Sequence, residues 1–235
     1  MVCCFLLLWL YCVYLQPSRT GFSMKIKLFI TISLFTFTFS LCAGCAQPIT
    51  SKVPPPPVTE LTQRLNEQGL ASSPRLVVVS SHTQTLAIYE NQQKIKEYTI
   101  STSIKGLGEL NNSFKTPRGF HRITDKIGAG VPNYGIFKNR QFIGEIWQPR
   151  PRAAHRKDYI TTRILRLEGL EPGINQGFDR FGRVIDTKER SVYIHGTTAE
   201  WQLGKPTTRG CIHMSADDIR SLFEEIPSGT VVWIS

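Results

Sequence analysis

The chain has 235 residues, with 28 Lys and Arg against 18 Asp and Glu, a formal net charge of +10 and 41% hydrophobic residues. Setting aside an export segment of 45 residues leaves 25 basic and 18 acidic residues, a net charge of +7 that suits a polyanionic neighbour. The export segment and the lack of any nucleic-acid-binding pattern argue against nucleic acid in that role, and about 160 residues of globular sequence suffice for one core but not two.

Residues 1–23 form an apolar block with no leading basic residue, and Met24 behind it is read as the true start. From Met24, "MKIKLFITISLFTFTFSLCAGCAQP" has Lys25 and Lys27, an apolar run to about Leu41 and then small residues. That is the layout of a secretory signal over 24–46. Both apolar blocks fall short of the roughly 20 residues a membrane span needs, which disfavours a hairpin of two spans. Ala43, Gly44 and Cys45 resemble a bacterial lipoprotein cleavage site with Cys45 as the lipidated residue, although Cys42 stands where such sites usually carry leucine. Cleavage after Ala46, releasing an unlipidated protein, is the competing reading. The expected location is the periplasm or cell envelope, with or without a lipid tether at Cys45.

Residues 47–73 read as a proline-rich tether, because four consecutive prolines favour an extended polyproline spacer. Within it, "TELTQRLNEQGL" has the makings of one short helix ending at Gly69. The globular body is placed at 74–235. "RLVVVS" reads as a strand, and "TLAIYENQQKIKEYTIST" as two strands around a polar turn. "GFHRITDKI" and "RSVYIHGT" read as further strands. Near the end, Ser215 caps a helix whose Ile219, Leu222, Phe223 and Ile226 follow i, i+3, i+4, i+7, with Asp217 and Asp218 at its positive end. Pro227 and Gly229 stop it, and "TVVWI" returns as a strand. Residues 127–173 mix glycine, proline, aromatics and arginine without a period, which marks a lid or binding loop. Tyr134, Trp147, Arg150, Arg152 and Arg156 are its candidate substrate-gripping residues.

Five of the six cysteines lie in the first 45 residues, so Cys211 is alone in the globular body. A free thiol is mostly protonated at neutral pH and needs a base or a lowered pKa to act as a nucleophile. His195, sixteen residues upstream, is on the same strand face as Tyr193 and is followed by Gly196, which lets the chain turn. An imidazole within about 3 Å of the sulfur serves as general base or forms a thiolate–imidazolium pair. The N-terminus of the following helix is a second candidate for stabilising a thiolate. Gly210 allows a carbonyl to approach backbone N–H groups, including that of Cys211, which suits an oxyanion site. Thr208 and Arg209 are candidate orienting residues. A zinc reading of Cys211, His195 and His213 lacks a fourth ligand, and no metal or other cofactor is expected. A thiol-redox reading lacks a resolving cysteine. His82, His121 and His155 are read as surface or packing residues.

"YIHGTTAEWQLGKPTTRGCIHM" resembles the signature of the bacterial L,D-transpeptidase catalytic domain, and the "TP-x-G" at Thr116 to Gly119 is similar to a turn of that family. The resemblance covers roughly residues 75 to 235. It implies a mostly β, sandwich-like fold with one or two short helices, one of them after the cysteine. It also implies Cys211 as nucleophile, His195 as base, Gly210 in the oxyanion region and Thr208 and Arg209 in the polar positions before it. The implied reaction attacks a peptidoglycan stem tetrapeptide after the L-centre of its diamino acid, releases D-alanine, and passes the acyl group to an amine on another stem or on a wall protein. Transfer to water, giving an L,D-carboxypeptidase or an enzyme that cleaves a wall-anchored protein with the same Cys and His, and a non-catalytic wall-binding lipoprotein are the alternatives. One departure stands out: the family commonly has arginine or asparagine two residues after the cysteine, and this chain has His213. Gly196 and His213 join Trp147 and Tyr134 as candidate substrate-binding residues.

Overall fold

A computed structural model of the chain describes residues 56–70, 74–148 and 157–235. The export segment, Cys45, Arg150, Arg152, His155 and Arg156 lie outside the described residues.

In chain order the elements are helix α1 (Val58–Glu67), strands β1 (Arg75–Ser80), β2 (Thr85–Glu90), β3 (Gln93–Thr99), β4 (Gly119–Ile127), β5 (Gly135–Lys138), β6 (Gln141–Ile146), β7 (Ile160–Gly169), β8 (Tyr193–Thr197) and β9 (Ile212–Met214), helix α2 (Ala216–Glu225) and strand β10 (Val231–Ile234). The strands run β3-β2-β1-β10-β4-β7-β5-β6 in one connected sheet, which forks at β7 because β8 also pairs with it and carries β9 beside it. The β1–β10 and β8–β9 pairs are parallel and the other named pairs are antiparallel.

The fork creates two layers. Val77 and Val79 of β1, Leu86 and Ile88 of β2, and Val232 and Ile234 of β10 bury against Ile194 of β8, Ile212 and Met214 of β9 and the apolar face of α2 in one core. At roughly 1.5–3 kcal/mol for each large aliphatic side chain removed from water, this layer contact is the main source of stability. The expected sandwich is therefore present as two limbs of a single sheet.

The strands read from periodicity appear where expected, and Ser215 caps α2 by accepting from the Asp218 N–H at 3.1 Å. The β2–β3 turn is carried by Asn91 and Gln92, both at positive φ (49° and 67°), the conformation a two-residue hairpin turn requires. The stretch read as an irregular lid is largely regular instead. It contains β5, β6 and β7, and β7 is the strand on which the two limbs meet. Two arginines interrupt its apolar pattern, and Thr162 at φ 65° marks a register shift that breaks the two-residue alternation.

α1 falls within the segment read as a tether. Its Leu61 and Leu65 are buried against Leu76 and Val78 of β1, Phe120 of β4 and Val231 of β10, on the face of the sheet away from α2. Arg64 lies over the rings of Phe120 and Trp233, at 5.2 and 4.6 Å from their centroids. No helix among the described residues is long and apolar enough to cross a membrane.

Candidate active site

The site follows from strand alternation on β8 and β9. Ile194 and Ile212 are paired in register and face the core, so their neighbours face the other way. Tyr193 and His195 on β8, and Cys211 just before β9 with His213 on it, thus share one face. His195 and His213 are direct register partners, and their ring centroids are 4.5 Å apart with the planes inclined by 52°. Cys211 sits one strand step before Ile212, in contact with a small apolar cluster of Phe137, Ile164 and Tyr193 that forms the wall of the site.

His195 is 3% exposed, and its Nδ1 is 2.9 Å from the Gly196 carbonyl oxygen. A carbonyl only accepts, so Nδ1 carries the proton and Nε2 is left as a base. Burial holds the His195 pKa below the ordinary imidazole value, against the opposing pull of the Gly196 carbonyl and Asp158. Cys211 keeps partial exposure to solvent. Its thiol is pushed up to about 11 by desolvation, while the Tyr193 backbone N–H and the positive charge of Arg190 pull it down. Both shifts favour the uncharged thiol and the uncharged imidazole over a preformed ion pair. The thiol contact seen at rest is with the Ser191 carbonyl, at 3.7 Å, where sequence reasoning expected the imidazole.

The helix α2 does not supply the expected positive end to the sulfur. β9 separates the two, and the first turn of α2 is already occupied: the Ala216 N–H donates to Glu200 Oε1 at 2.8 Å, and Ser215 takes the Asp218 N–H. The electrostatic help comes from Arg190, which sequence reasoning did not single out. Its Nη2 donates to the Lys115 carbonyl at 2.6 Å, and burial lowers its pKa while Glu109 and Cys211 raise it.

The turn before the cysteine is tightly braced. The Thr208 hydroxyl donates to the Cys211 carbonyl at 2.6 Å and accepts from the Gly210 N–H at 3.2 Å. The Gly210 carbonyl accepts from the Thr116 hydroxyl at 3.0 Å, and Thr116 Oγ1 in turn accepts from the Ser103 N–H at 3.0 Å. Thr116, the first residue of the "TP-x-G" turn, thus ties the cysteine turn to the segment after β3. That segment also pairs directly with the site, because Ser101 and His213 exchange two backbone hydrogen bonds of 3.0 and 2.9 Å. Gly210 has φ 121°, a conformation that favours glycine, and an added Cβ would sit in a tight contact 3.3 Å from the Lys115 carbonyl. Its N–H is directed at Thr208, which leaves the Cys211 amide as the candidate oxyanion donor of the turn. Arg209 is exposed.

Gly196 does not turn the chain. β8 continues through it to Thr197, and a Cβ at this position would lie 2.7 Å from the Thr161 carbonyl of β7. Its absent side chain allows β7 and β8 to approach closely, and its carbonyl sets the His195 tautomer. Tyr134 and Trp147 pack on each other with centroids 5.5 Å apart, and burial and Glu200 push the Tyr134 hydroxyl up to about 12. Through Glu200 they border the start of α2. His121 is a packing residue: it is fully buried, with Nδ1 3.0 Å from the Gly119 carbonyl and Nε2 3.1 Å from Thr187 Oγ1. His82 is exposed.

Asp158 was also not singled out from sequence, where nothing distinguishes it from a surface carboxylate. Its Oδ1 accepts from Thr197 Oγ1 at 2.6 Å and from the Thr198 N–H and hydroxyl at 3.1 Å each. Its Oδ2 lies 3.2 Å from His213 Nδ1. Burial and the neighbouring His195 ring hold His213 well below the ordinary imidazole range in spite of that carboxylate.

Residues 74–234 match the family model described as YkuD, the L,D-transpeptidase catalytic domain. A protein of Escherichia coli (strain K12), "Probable L,D-transpeptidase ErfK/SrfK", is 35% identical over 111 residues, covering 46% of this chain and 34% of that protein. The chain thus aligns with about a third of that relative's length. Among solved structures, an L,D-transpeptidase from Mycobacterium smegmatis is similar at a TM-score of 0.39 and 16% identity, over 70% of this chain and 59% of that one. The L,D-transpeptidase LdtMt1 in complex with imipenem is similar at a TM-score of 0.41 and 15% identity, over 70% of this chain and 60% of that one.

Proposed function

Because the chain belongs to the YkuD family of L,D-transpeptidase catalytic domains, we propose that it is a peptidoglycan L,D-transpeptidase working through an acyl-thioester on Cys211. The observation that carries this reading is the placement of a lone, partly exposed thiol and a buried imidazole of fixed tautomer on one face of two adjacent parallel strands.

In the first half-reaction, a stem tetrapeptide presents the carbonyl of its diamino acid to Cys211. Rotation of the cysteine side chain turns the thiol from the Ser191 carbonyl toward Nε2 of His195. The thiol proton passes to Nε2 as sulfur bonds to the carbonyl carbon, and the resulting oxyanion is held by the Cys211 amide. Collapse breaks the bond to D-alanine, whose nitrogen takes the proton back from His195. The enzyme is left as a thioester with a neutral imidazole. In the second half-reaction a neutral amine of another stem, or of a wall protein, bonds to the thioester carbonyl carbon as one of its protons passes to an imidazole of the site, the carbon–sulfur bond breaks, and that proton returns to the thiolate. Arg190 is the fixed positive charge that stabilises sulfur each time it is anionic.

Tyr134 and Trp147 are proposed to border the bound peptide, with Thr208 and Gly210 holding the turn. Residues 24–46 are proposed to export the protein to the envelope, where the net positive charge suits the anionic wall. Intact-mass measurement after exposure to a carbapenem tests the nucleophile. The reading expects a stoichiometric adduct on the protein and none on Cys211→Ala; an adduct that persists on Cys211→Ala, or no adduct at all, overturns it.

A further inference from the structure

His213 and Asp158 have no part in the chemistry described so far, yet they stand beside it. The His213 ring centroid is 4.5 Å from that of His195, and His213 follows Cys211 by two residues on the same strand face. Asp158 Oδ2, 3.2 Å from Nδ1, can only accept when ionised, so it holds the ring proton on Nδ1 and leaves the lone pair on Nε2. Asp158 is itself fixed by Thr197 and Thr198. The hydrogen bonds of both rings among the described residues run through Nδ1, and the His213 side chain is 14% exposed.

The two rings differ in what lies behind them. The brace of His195 is a neutral carbonyl, and that of His213 is a carboxylate. A carboxylate behind an imidazole fixes its tautomer and also stabilises the imidazolium once a proton arrives. The rings are close enough for two charged imidazoles to repel, and burial followed by the neighbouring His195 lowers His213.

We propose that His213, backed by Asp158, is the base for the second half-reaction, receiving a proton from the acceptor amine while His195 serves the first. This assignment rests on the transpeptidase reading above. The neutral amine nitrogen bonds to the thioester carbonyl carbon as one of its protons moves to Nε2 of His213. The carbon–sulfur bond breaks, the new amide leaves, and the proton held by His213 returns to the thiolate to restore the thiol. Atoms and charge balance with no further reactant.

The test separates the half-reactions by mass. The protein is mixed with a defined stem tetrapeptide, with and without an acceptor amine, and the acyl-enzyme is followed over time. For His213→Asn and, independently, Asp158→Asn, acyl-enzyme should form within about threefold of the unsubstituted rate but decay at least tenfold more slowly with the acceptor present, so that it accumulates. Retained acylation in the same sample shows that the variant is folded and that His195 is in place. Equal loss of both half-reactions, or unchanged decay in both variants, overturns the assignment to His213 and leaves the transpeptidase reading intact. Failure of the unsubstituted protein to form any acyl-enzyme overturns both.

Discussion

The Nδ1 of His195 lies 2.9 Å from the carbonyl oxygen of the very next residue, Gly196. The tautomer of the proposed base is thus set by local backbone, without help from a distant acid. Replacement of His195 by asparagine should therefore slow carbapenem acylation of Cys211 by about 10²-fold or more, the span of general-base catalysis. Stopped-flow or timed intact-mass kinetics would read the loss, and a change below about fivefold would exclude His195 as the base.

Acylation should also show a defined pH profile. The reactive form needs His195 neutral, and burial keeps its pKa below the ordinary value. The acid limb of the acylation rate is therefore expected below pH 6.5, and no alkaline limb from the thiol is expected until pH approaches about 11. A rate that rises only above pH 8 would instead mean that the thiol must ionise before it meets its base.

Stability has its own pH dependence, to which the buried His121 contributes with the same sign as His195 and His213. Burial lowers the folded-state pKa of His121 to about 4, while the unfolded chain has the ordinary value of 6.5. Between those values the unfolded state binds more protons, so stability is complete above pH 6.5 and falls as pH drops toward 4. This group alone contributes on the order of 3 kcal/mol over that window. Urea midpoints from pH 7 to 4 would show it, and the slope should flatten in His121→Asn.

Gly196→Ala should destabilise the protein by about 1–3 kcal/mol, because the new methyl meets the Thr161 carbonyl and cannot be relieved by a rotamer change. Thermal melting would report this as a Tm several degrees lower. A neutral outcome would show that β7 and β8 separate more easily than their register suggests.

Thr208→Val should cost about 1–2 kcal/mol, since it removes an acceptor for the Gly210 N–H and a donor to the Cys211 carbonyl while keeping the shape. Thr208→Ser should recover both hydrogen bonds. Acylation rates ordered Thr, then Ser, then Val would assign Thr208 to holding the turn.

The elements with a clean two- or 3.6-residue period, such as β1, β4 and α2, were legible in the sequence because one face of each is buried. β6 is exposed along its whole length and β7 carries a bulge at Thr162, so neither presents a period to read. Cys211 and His195 were legible because one cysteine without a partner demands a use and one histidine follows an apolar strand. Arg190, Asp158 and the role of Thr116 were not. They act across 39 to 94 residues of chain, through the contacts of Arg190 with Lys115, of Asp158 with Thr197 and of Thr116 with Gly210, which only the assembled sheet creates.

β10 ties the two ends of the domain's chain into one sheet. It pairs with β1 on one side and β4 on the other, so residues 231–234 fill a slot in the middle of the sheet. Until they insert, β1 and β4 lack the strand they share, and Val232 and Ile234 are missing from the core that Val77, Val79 and Ile212 enter. Closure of the sheet is thus tied to a pairing between distant parts of the chain, the slow kind of folding step. A chain without this strand would be left with a trough where its sheet should be continuous.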